Sequence, residues 1–401
     1  MPDLDVHGLD VRRLRDDFLE ARGLQERATD AGLRRTSSIL GGVESALPEP
    51  GDDGIQAALA DLWSAWDDVA NQPEDAAARA RLVRRARTLA GAVSATAATL
   101  AALRSDALDQ LTRGVDQVNE DAAQVAELNR AVRHATAAGR STGDLTDRRD
   151  LLVGRLARSA GVTVRTGADG VAEVFLGGGS LVQGARAGTL AVGRAAAAEA
   201  VTWKDAGHPA TVVGGELGAT LAALNATLPG WAGGLDRVAA ALEEPVNHLH
   251  RQGLDQDGNP GQPFFQHDAA GTAATLRVNP AIAADPRLVA ARDPAKGPVD
   301  GSVAARLAEL GGGAGGPEVA YRAFVVGVGV AVDAASRRAD LQGSVTRQLD
   351  AAREAEPGGD LDQEMTAMLA YRHGYEAAAR LLTRVDSALA RLVQSTGPAG
   401  R

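Results

Sequence analysis

The feature that most constrains the fold is an apolar seam running between residues 74 and 137. From Leu111 to Val125 its members recur at alternating spacings of four and three, the pattern of a long helix that packs along other helices. The seam residues are Leu89, Val93, Leu100, Leu103, Leu111, Val115, Val118, Ala122 and Val125. Such a seam needs partner helices to cover it, so the pattern predicts a helical bundle.

The composition favours the same architecture. Of the 401 residues 45% are hydrophobic but only 3% are aromatic, so Ala, Leu and Val must build most of the core. These residues fill a core most readily through close helix packing. The sequence contains no cysteine, which excludes thiol catalysis, zinc–thiolate sites and disulfides.

The charge balance argues against two classes of partner. A formal net charge of -10 disfavours binding to nucleic acid or to an anionic membrane surface. We expect no membrane insertion, because no apolar run approaches the roughly 20 residues of a membrane span. The first residues, MPDLDVHGLDVRRLRDD, are acidic and lack an apolar centre, so we expect no cleaved signal peptide.

Hydrophobic periodicity divides the remaining chain into helices around a β-rich insert. Trp63 and Trp66 lie three residues apart and should share one helix face. Further helices are predicted over 11–47, 54–70, 145–160, 216–227, 231–251, 318–356 and 360–396. Short apolar runs between Gly-rich turns predict strands over 161–213, residues 253–300 are predicted to be mostly loop, and 311–316 a flexible connector.

The predicted fold class is therefore mainly α, with a small inserted β-rich domain. Helices from both chain ends should form one long coiled-coil-like bundle. The expected domains are 1–160, the N-terminal part of the bundle; 161–213, the β-rich insert; 214–316, helices and loop returning to the bundle; and 317–401, the C-terminal part.

The last predicted helix, 360–396, carries the candidate functional residues. Its apolar stripe consists of Leu361, Met365, Met368, Tyr375, Leu382, Val385, Leu389 and Leu392, with Ala379 on the same face. Burial is worth roughly 1.5–3 kcal/mol per large side chain, so the stripe requires a partner surface. That partner could be the core of the same chain or another protein. We interpret the stripe as an assembly contact.

Motifs for catalysis or for cofactor binding are weak. His248, His250 and His267 form the best metal candidate, but the first two are two residues apart and should point to different sides of a helix. The stretch 255–259 resembles part of a calcium loop, yet a turn stabilised by Asp and Asn side chains explains it better. The Gly-rich stretches 177–180 and 311–316 lack a Gly-Lys-Ser/Thr ending, and 327–329 should permit close helix approach. We expect no enzyme activity and no cofactor.

Several phrases resemble one protein family. They are LWSAWDDVANQPED at 62–75, LTDRRDLL at 145–152, FLGGG at 175–179 with Leu181-Val182, GGELG at 214–218, DQDGNPG at 255–261 with Phe264-Phe265, and DLDQEM, LAYR and YEAAARLL within 360–382. In this order they are similar to the flagellar hook-associated proteins of the FlgK type. The likeness runs through nearly the whole chain.

The resemblance implies a structural subunit of the bacterial flagellum that joins hook to filament in a flagellin-like axial architecture. Its implied partners are itself in a ring, the hook protein, a second junction protein and a flagellar export chaperone. The implied location is extracellular, after export by the flagellar type III route. Cytoplasmic coiled-coil scaffolding or signalling is the alternative, and a metal-dependent hydrolase acting through the His248–His267 region is a third.

Family members normally begin with a further helical segment that pairs with the C-terminal helix. Here Met1 falls within the region that follows it. We therefore expect the helix over 360–396 to lack its partner in this chain. It should stay mobile, or pack on the helical body, until a neighbouring molecule covers it.

Overall fold

A computed structural model describes residues 4–355 except 48, 50, 52, 53, 168, 270 and 314, and also residues 369, 372 and 380. For 4–18 and 353–355 it describes the backbone alone. The chain divides into two compact units, Met1–Gly343 and Ser344–Arg401. Apart from residues 369, 372 and 380, the predicted helix over 360–396 lies outside the described residues, and so do all eight candidate assembly residues.

Helices dominate the first unit. In chain order they are α1 (Leu4–Ser45), α2 (Ile55–Asn71), α3 (Ala76–Ala137), α4 (Gly143–Ala160), α5 (Gly215–Ala222), α6 (Leu228–Gln252), α7 (Thr272–Thr275), α8 (Pro280–Ala284), α9 (Ser302–Ala308) and α10 (Pro317–Ala355), which continues into the second unit. Short 3₁₀ turns cover Pro286–Leu288 and Glu309–Gly312. Within the second unit, Arg347 Nη2 donates to Ser344 Oγ at 3.0 Å.

The predicted seam of α3 forms the centre of the core. Asp75 caps the helix, since its carboxylate accepts from the backbone N–H groups of Ala77 and Ala78 at 2.8 and 3.3 Å. Every seam residue except the half-buried Leu103 is buried. Both Trp63 and Trp66 of α2 are also buried. The helical pattern read from the sequence is confirmed here.

Strands lie between α4 and α5. β1 (Thr163–Thr166), β2 (Ala172–Leu176), β3 (Gly179–Gln183) and β4 (Arg186–Ala187) form an antiparallel meander, and β5 (Leu190–Ala195) pairs with β6 (Ala198–Trp203) as a hairpin. A third pair, β7 (Phe265–Gln266) and β8 (Arg277–Val278), joins residues of the long loop region. The predicted fold class, mainly α with a small β-rich insert, is confirmed.

Helices of both chain ends meet in the first unit. Gln342 Nε2 of α10 donates to Glu26 Oε2 of α1 at 2.6 Å. Near the other end of α10, the Tyr321 hydroxyl donates to Glu49 Oε1 at 3.1 Å. The same carboxylate oxygen accepts from the backbone N–H of Gln56 at 3.0 Å, at the start of α2. Glu49 therefore joins the first turn of α2 to α10.

Two details differ from the sequence-based expectations. The helices predicted over 216–227 and 231–251 are continuous, because a π-helical turn at Ala223–Thr227 joins α5 to α6. Pro229 follows that turn; it has no N–H to donate and its ring crowds the preceding turn, both of which favour local rewinding.

The second difference concerns the predicted flexible connector over 311–316. Gly311 is buried, and a Cβ atom there would lie 2.4 Å from Trp63 Cδ1. The expectation of a flexible connector is wrong at this position. Gly311 has no side chain, and this allows its backbone to pack closely against the indole ring of Trp63.

Candidate functional site

Two asparagines on α3 hold the β-rich insert. The Asn119 side chain bonds both backbone groups of Leu190, accepting from its N–H at 2.8 Å and donating to its carbonyl at 2.9 Å. Asn129 does the same for Ala172, at 3.0 and 2.8 Å, and also donates to the carbonyl of Gly184 at 2.9 Å. At each of these points a side-chain amide bonds the backbone as a neighbouring strand would; Leu190 begins β5, and Ala172 begins β2 ahead of its pairing with β3.

The same device recurs at two other sites. Asn225, in the π turn, accepts from the N–H of Glu199 at 2.8 Å and donates to its carbonyl at 2.9 Å. Asn247 of α6 binds both backbone groups of Phe265, at 2.8 and 2.9 Å. We call these four side chains the asparagine clamps. None of them was predicted from the sequence. For Asn119, Asn129 and Asn247 the available signal was a polar residue on the buried or half-buried face of a helix; Asn225 is exposed and gave no such signal.

An aromatic joint fixes the loop region to α2 and α6. The Trp66 and Phe264 rings lie 5.1 Å apart between centroids, and His250 lies 5.4 Å from Phe264. All three side chains are fully buried. Such tilted and edge-on ring contacts stabilise the fold beyond what the burial of apolar area contributes. Residues 253–300 are mostly irregular, as predicted, and the ring contacts of Phe264 anchor this region to α2 and α6.

His250 is held as a neutral ring. Its Nδ1 donates to the carbonyl of Gln262 at 2.5 Å, and its Nε2 accepts from the N–H of Ala290 at 2.9 Å. Burial is the main cause that lowers the pKa of His250, to about 4, and the positive charges of Arg79 and Arg251 also lower it. The hydrogen bond to Gln262 and the negative charge of Asp255 act in the opposite direction and raise the pKa. Because Nε2 must accept a hydrogen bond, protonation would break the contact to Ala290.

Arg79 completes the joint from α3. Its guanidinium donates to the carbonyls of Pro73 at 2.8 Å and Val289 at 2.5 Å. Burial lowers the pKa of Arg79, and Asp255 partly opposes that shift. The cation therefore stays hydrogen-bonded within the core and serves to fix two loops.

The histidines proposed as a metal site have separate partners. His250 is engaged as described, while His248 Nε2 contacts Gln252 at 2.9 Å and His267 Nδ1 contacts Glu243 at 2.7 Å. Among the residues that the structure describes, no group of three or more His, Asp or Glu side chains could hold a metal ion.

The Asp-rich turn at 255–259 forms as predicted. Asp255 Oδ1 accepts from the N–H groups of Asp257 and Asn259 at 2.9 and 2.8 Å. Its Oδ2 accepts from Asn259 Nδ2 at 3.3 Å. The carboxylate thus closes its own loop, and the interpretation as a side-chain-stabilised turn is confirmed.

Helix α10 presents large apolar side chains to solvent. Within the first unit these are Val319, Val326, Val330 and Leu341, which are 47%, 58%, 63% and 70% exposed. On the same helix Tyr321, Phe324 and Val328 are buried, and Gly327 lets Trp231 of α6 approach to 3.6 Å of an ideal Cβ position. The expectation that the Gly327–Gly329 stretch permits close helix approach is confirmed at Gly327.

Two helical stretches are apolar enough, over 18 residues, to cross a membrane by length and composition alone. They lie within Ala76–Ala137 and Ser302–Ala352, and 33% and 22% of the respective windows are buried. The expectation that no apolar run approaches that length is therefore wrong. Core helices of soluble proteins pass the same test.

The comparisons with known proteins agree with one another. Residues 40–265 match the sequence model of the "Flagellar hook-associated protein FlgK helical domain". Flagellar hook-associated protein 1 of Bacillus subtilis is 23% identical over an alignment of 449 residues that covers 99% of this chain and 87% of the relative. The corresponding protein of Salmonella typhimurium is 29% identical over 269 residues, 64% of this chain and 48% of the relative.

Other matches extend the picture. The Escherichia coli hook-associated protein 1 is 28% identical over 279 residues, so the chain spans about half the length of the enterobacterial relatives. The flagellar hook junction protein FlgK from Burkholderia pseudomallei has the same fold, with a TM-score of 0.74 and 17% identity over 83% of this chain and 99% of that one.

The family match extends over more than half of the chain, from α1 to β7. It includes α2, α3, α4 and the β-rich insert, which the first two asparagine clamps tie together. The chain therefore belongs to the flagellar hook-associated protein FlgK family, and its role is that of a structural protein of the flagellar hook junction.

Proposed function

We propose that this chain joins the flagellar hook to the filament as a ring-forming subunit that works by helix packing. The observation that carries the proposal is the family match over residues 40–265, which spans the helical body and the strands held against it. As a flagellar protein it acts outside the cell after export. No step in this role requires bond chemistry, so we propose that the chain is not an enzyme.

The mechanism rests on a rigid body and a separate packing stripe. The α3 seam, the aromatic joint and the asparagine clamps fix α2, α3, α6 and the strands relative to one another. Assembly then needs surfaces that remain uncovered in the subunit. We propose that the predicted stripe from Leu361 to Leu392 is one of them, since burying each large side chain contributes roughly 1.5–3 kcal/mol.

The proposed partners follow from this role. The hook protein would contact one side of the ring and the second junction protein the other. Before export, a flagellar chaperone would cover Leu382, Val385, Leu389 and Leu392, which otherwise expose an apolar face to the cytoplasm. Export would follow the flagellar type III route without cleavage of a signal peptide.

The domain roles remain as predicted from the sequence. Residues 1–160 and 317–401 would contribute the two halves of the bundle, and 214–316 would return the chain to it. The insert at 161–213 would face outward. The apolar windows of α3 and α10 would serve helix packing, so we propose no membrane insertion.

A charge placed in the stripe tests the proposal. Leu389→Asp should abolish junction assembly and swimming, because a carboxylate cannot be buried against an apolar partner. Gln394→Asp is the control, since it adds the same charge outside the predicted stripe. Both variants should retain the far-ultraviolet circular dichroism and unfolding midpoint of the parent. Normal swimming of the Leu389→Asp strain would contradict the proposal.

A further inference from the structure

The first observation is the exposed ridge on α10. Val319, Val326 and Val330 stand at positions i, i+7 and i+11, which lie on one side of a helix. Ala323 lies between them and is also exposed. The χ1 angle of valine is already restricted in a helix, so packing these side chains against a partner costs little further conformational entropy. The ridge is therefore a suitable packing surface.

The second observation is a face of small residues on α3. Gly91, Ala98 and Ala102 are exposed and have the same spacing, i, i+7 and i+11. A Cβ atom at Gly91 would meet nothing within 4 Å. Beside Gly91 a groove of about 490 Å³ opens between α3 and the segment 276–284. Small side chains let a second helix approach closely.

We infer that the α10 ridge of one subunit packs into the small-residue face of α3 on a second copy of this chain. The inference rests on the proposed function, since it names a contact between neighbouring subunits of the ring. The two faces are complementary in shape: one carries three exposed valines, and the other has Gly or Ala at the matching positions. Their equal spacing lets all three valines meet small residues at once.

Charge fixes the direction of the contact. With parallel helices Val319, Val326 and Val330 lie opposite Gly91, Ala98 and Ala102. The exposed Asp333 then lies opposite Ser105, and Arg337, which also pairs with Asp333, lies opposite Asp109.

The antiparallel arrangement also matches the valines to small residues, but it brings Arg337 opposite Arg84, which is exposed as well. Opposite charges favour the parallel arrangement and like charges disfavour the other.

The two faces differ, so the contact is head-to-tail. Each subunit then offers a free ridge on one side and a free small-residue face on the other, and repetition builds a ring when the rotation closes. A contact between two α10 ridges would instead give a closed dimer that cannot add further subunits through the same surface.

Cysteine cross-linking tests the inference directly, because the chain has no cysteine of its own. The double variant Val326→Cys, Ala98→Cys should give a ladder of multimers when isolated flagella are treated with a short thiol-to-thiol cross-linker. Flagella that contain either single variant should give monomer only. The control pair is Val326→Cys with Val213→Cys, since Val213 is 84% exposed and lies on neither face.

Three results would overturn the inference. Dimers from Val326→Cys alone would show a ridge-to-ridge contact. A Val326→Cys thiol that resists maleimide in the purified monomer would show that the chain's own residues cover the ridge. Monomer only from the double variant, with the chain present in the flagella, would exclude the contact while leaving the proposed function intact. If the chain were absent from flagella, the proposed function would fail as well.

Discussion

At the scale of single residues, buried amides hold strands to helices. Asn129 is fully buried, and its bonds reach Ala172 and Gly184, 43 and 55 residues away. No periodicity in the sequence marks such pairs, because the partner is backbone and could belong to any strand. The backbone partners of the clamps could therefore not be predicted, whereas the apolar seam around them could.

Asn129→Ala should destabilise the purified monomer by about 2–3 kcal/mol, because it leaves buried backbone groups of Ala172 without a partner. Asn71→Ala is the matched control, since Asn71 is exposed and its amide donates to Asp67 Oδ2 at the surface. Urea unfolding measures both free energies. A loss at Asn129 no larger than that at Asn71 would show that the clamp contributes nothing.

His250 should make stability depend on pH. Its pKa is about 4 in the folded chain against an ordinary 6.5, so the unfolded chain binds more protons between these values. The contribution of His250 to the free energy of unfolding is therefore fully present above pH 6.5, and it is lost as the pH falls from 6.5 towards 4. Between pH 7 and pH 5 we expect a loss of about 2 kcal/mol.

Urea unfolding of His250→Leu and His248→Gln isolates this effect. The first variant should be less stable at pH 7 and should lack that part of the pH dependence. The second should keep it, because His248 is exposed and its ring contacts the side chain of Gln252 at the surface. Equal pH slopes in the parent chain and His250→Leu would contradict the assignment.

At the scale of elements, periodicity predicted most helices to within a few residues. The seam of α3 and the stop at Gly161, which ends α4 with a positive φ of 66°, are local signals. The faces of α10 were not predictable, because Phe324 and Val328 are buried while Val326 and Val330 are exposed, and both sets are apolar. Pattern alone cannot tell which apolar face the chain covers.

The turn between α9 and α10 offers a paired test of close packing. Gly311→Ala should destabilise the monomer by about 1–3 kcal/mol, since its Cβ would lie within 3 Å of Trp63 and force the 3₁₀ turn to move. Gly312→Ala should change stability by at most about 0.5 kcal/mol, because its Cβ meets nothing within 4 Å. Thermal unfolding compares them. Similar effects would argue against the Trp63 contact.

At the scale of the whole molecule, function depends on surfaces that the folded monomer leaves open. Val326→Asp should impair swimming and reduce the amount of the chain in isolated flagella, because it places a charge in the proposed subunit contact. Val213→Asp, on an exposed residue outside both faces, should leave swimming unchanged. Equal swimming of the two strains would place the subunit contact elsewhere.

The central claim is that this chain sits between hook and filament. Immunogold electron microscopy of isolated flagella, with an antibody against the β-rich insert, tests it most directly. The account predicts label at one narrow band where the hook meets the filament, and hooks without filaments when the gene is deleted. Label confined to the cell body, with intact flagella in the deletion strain, would contradict it.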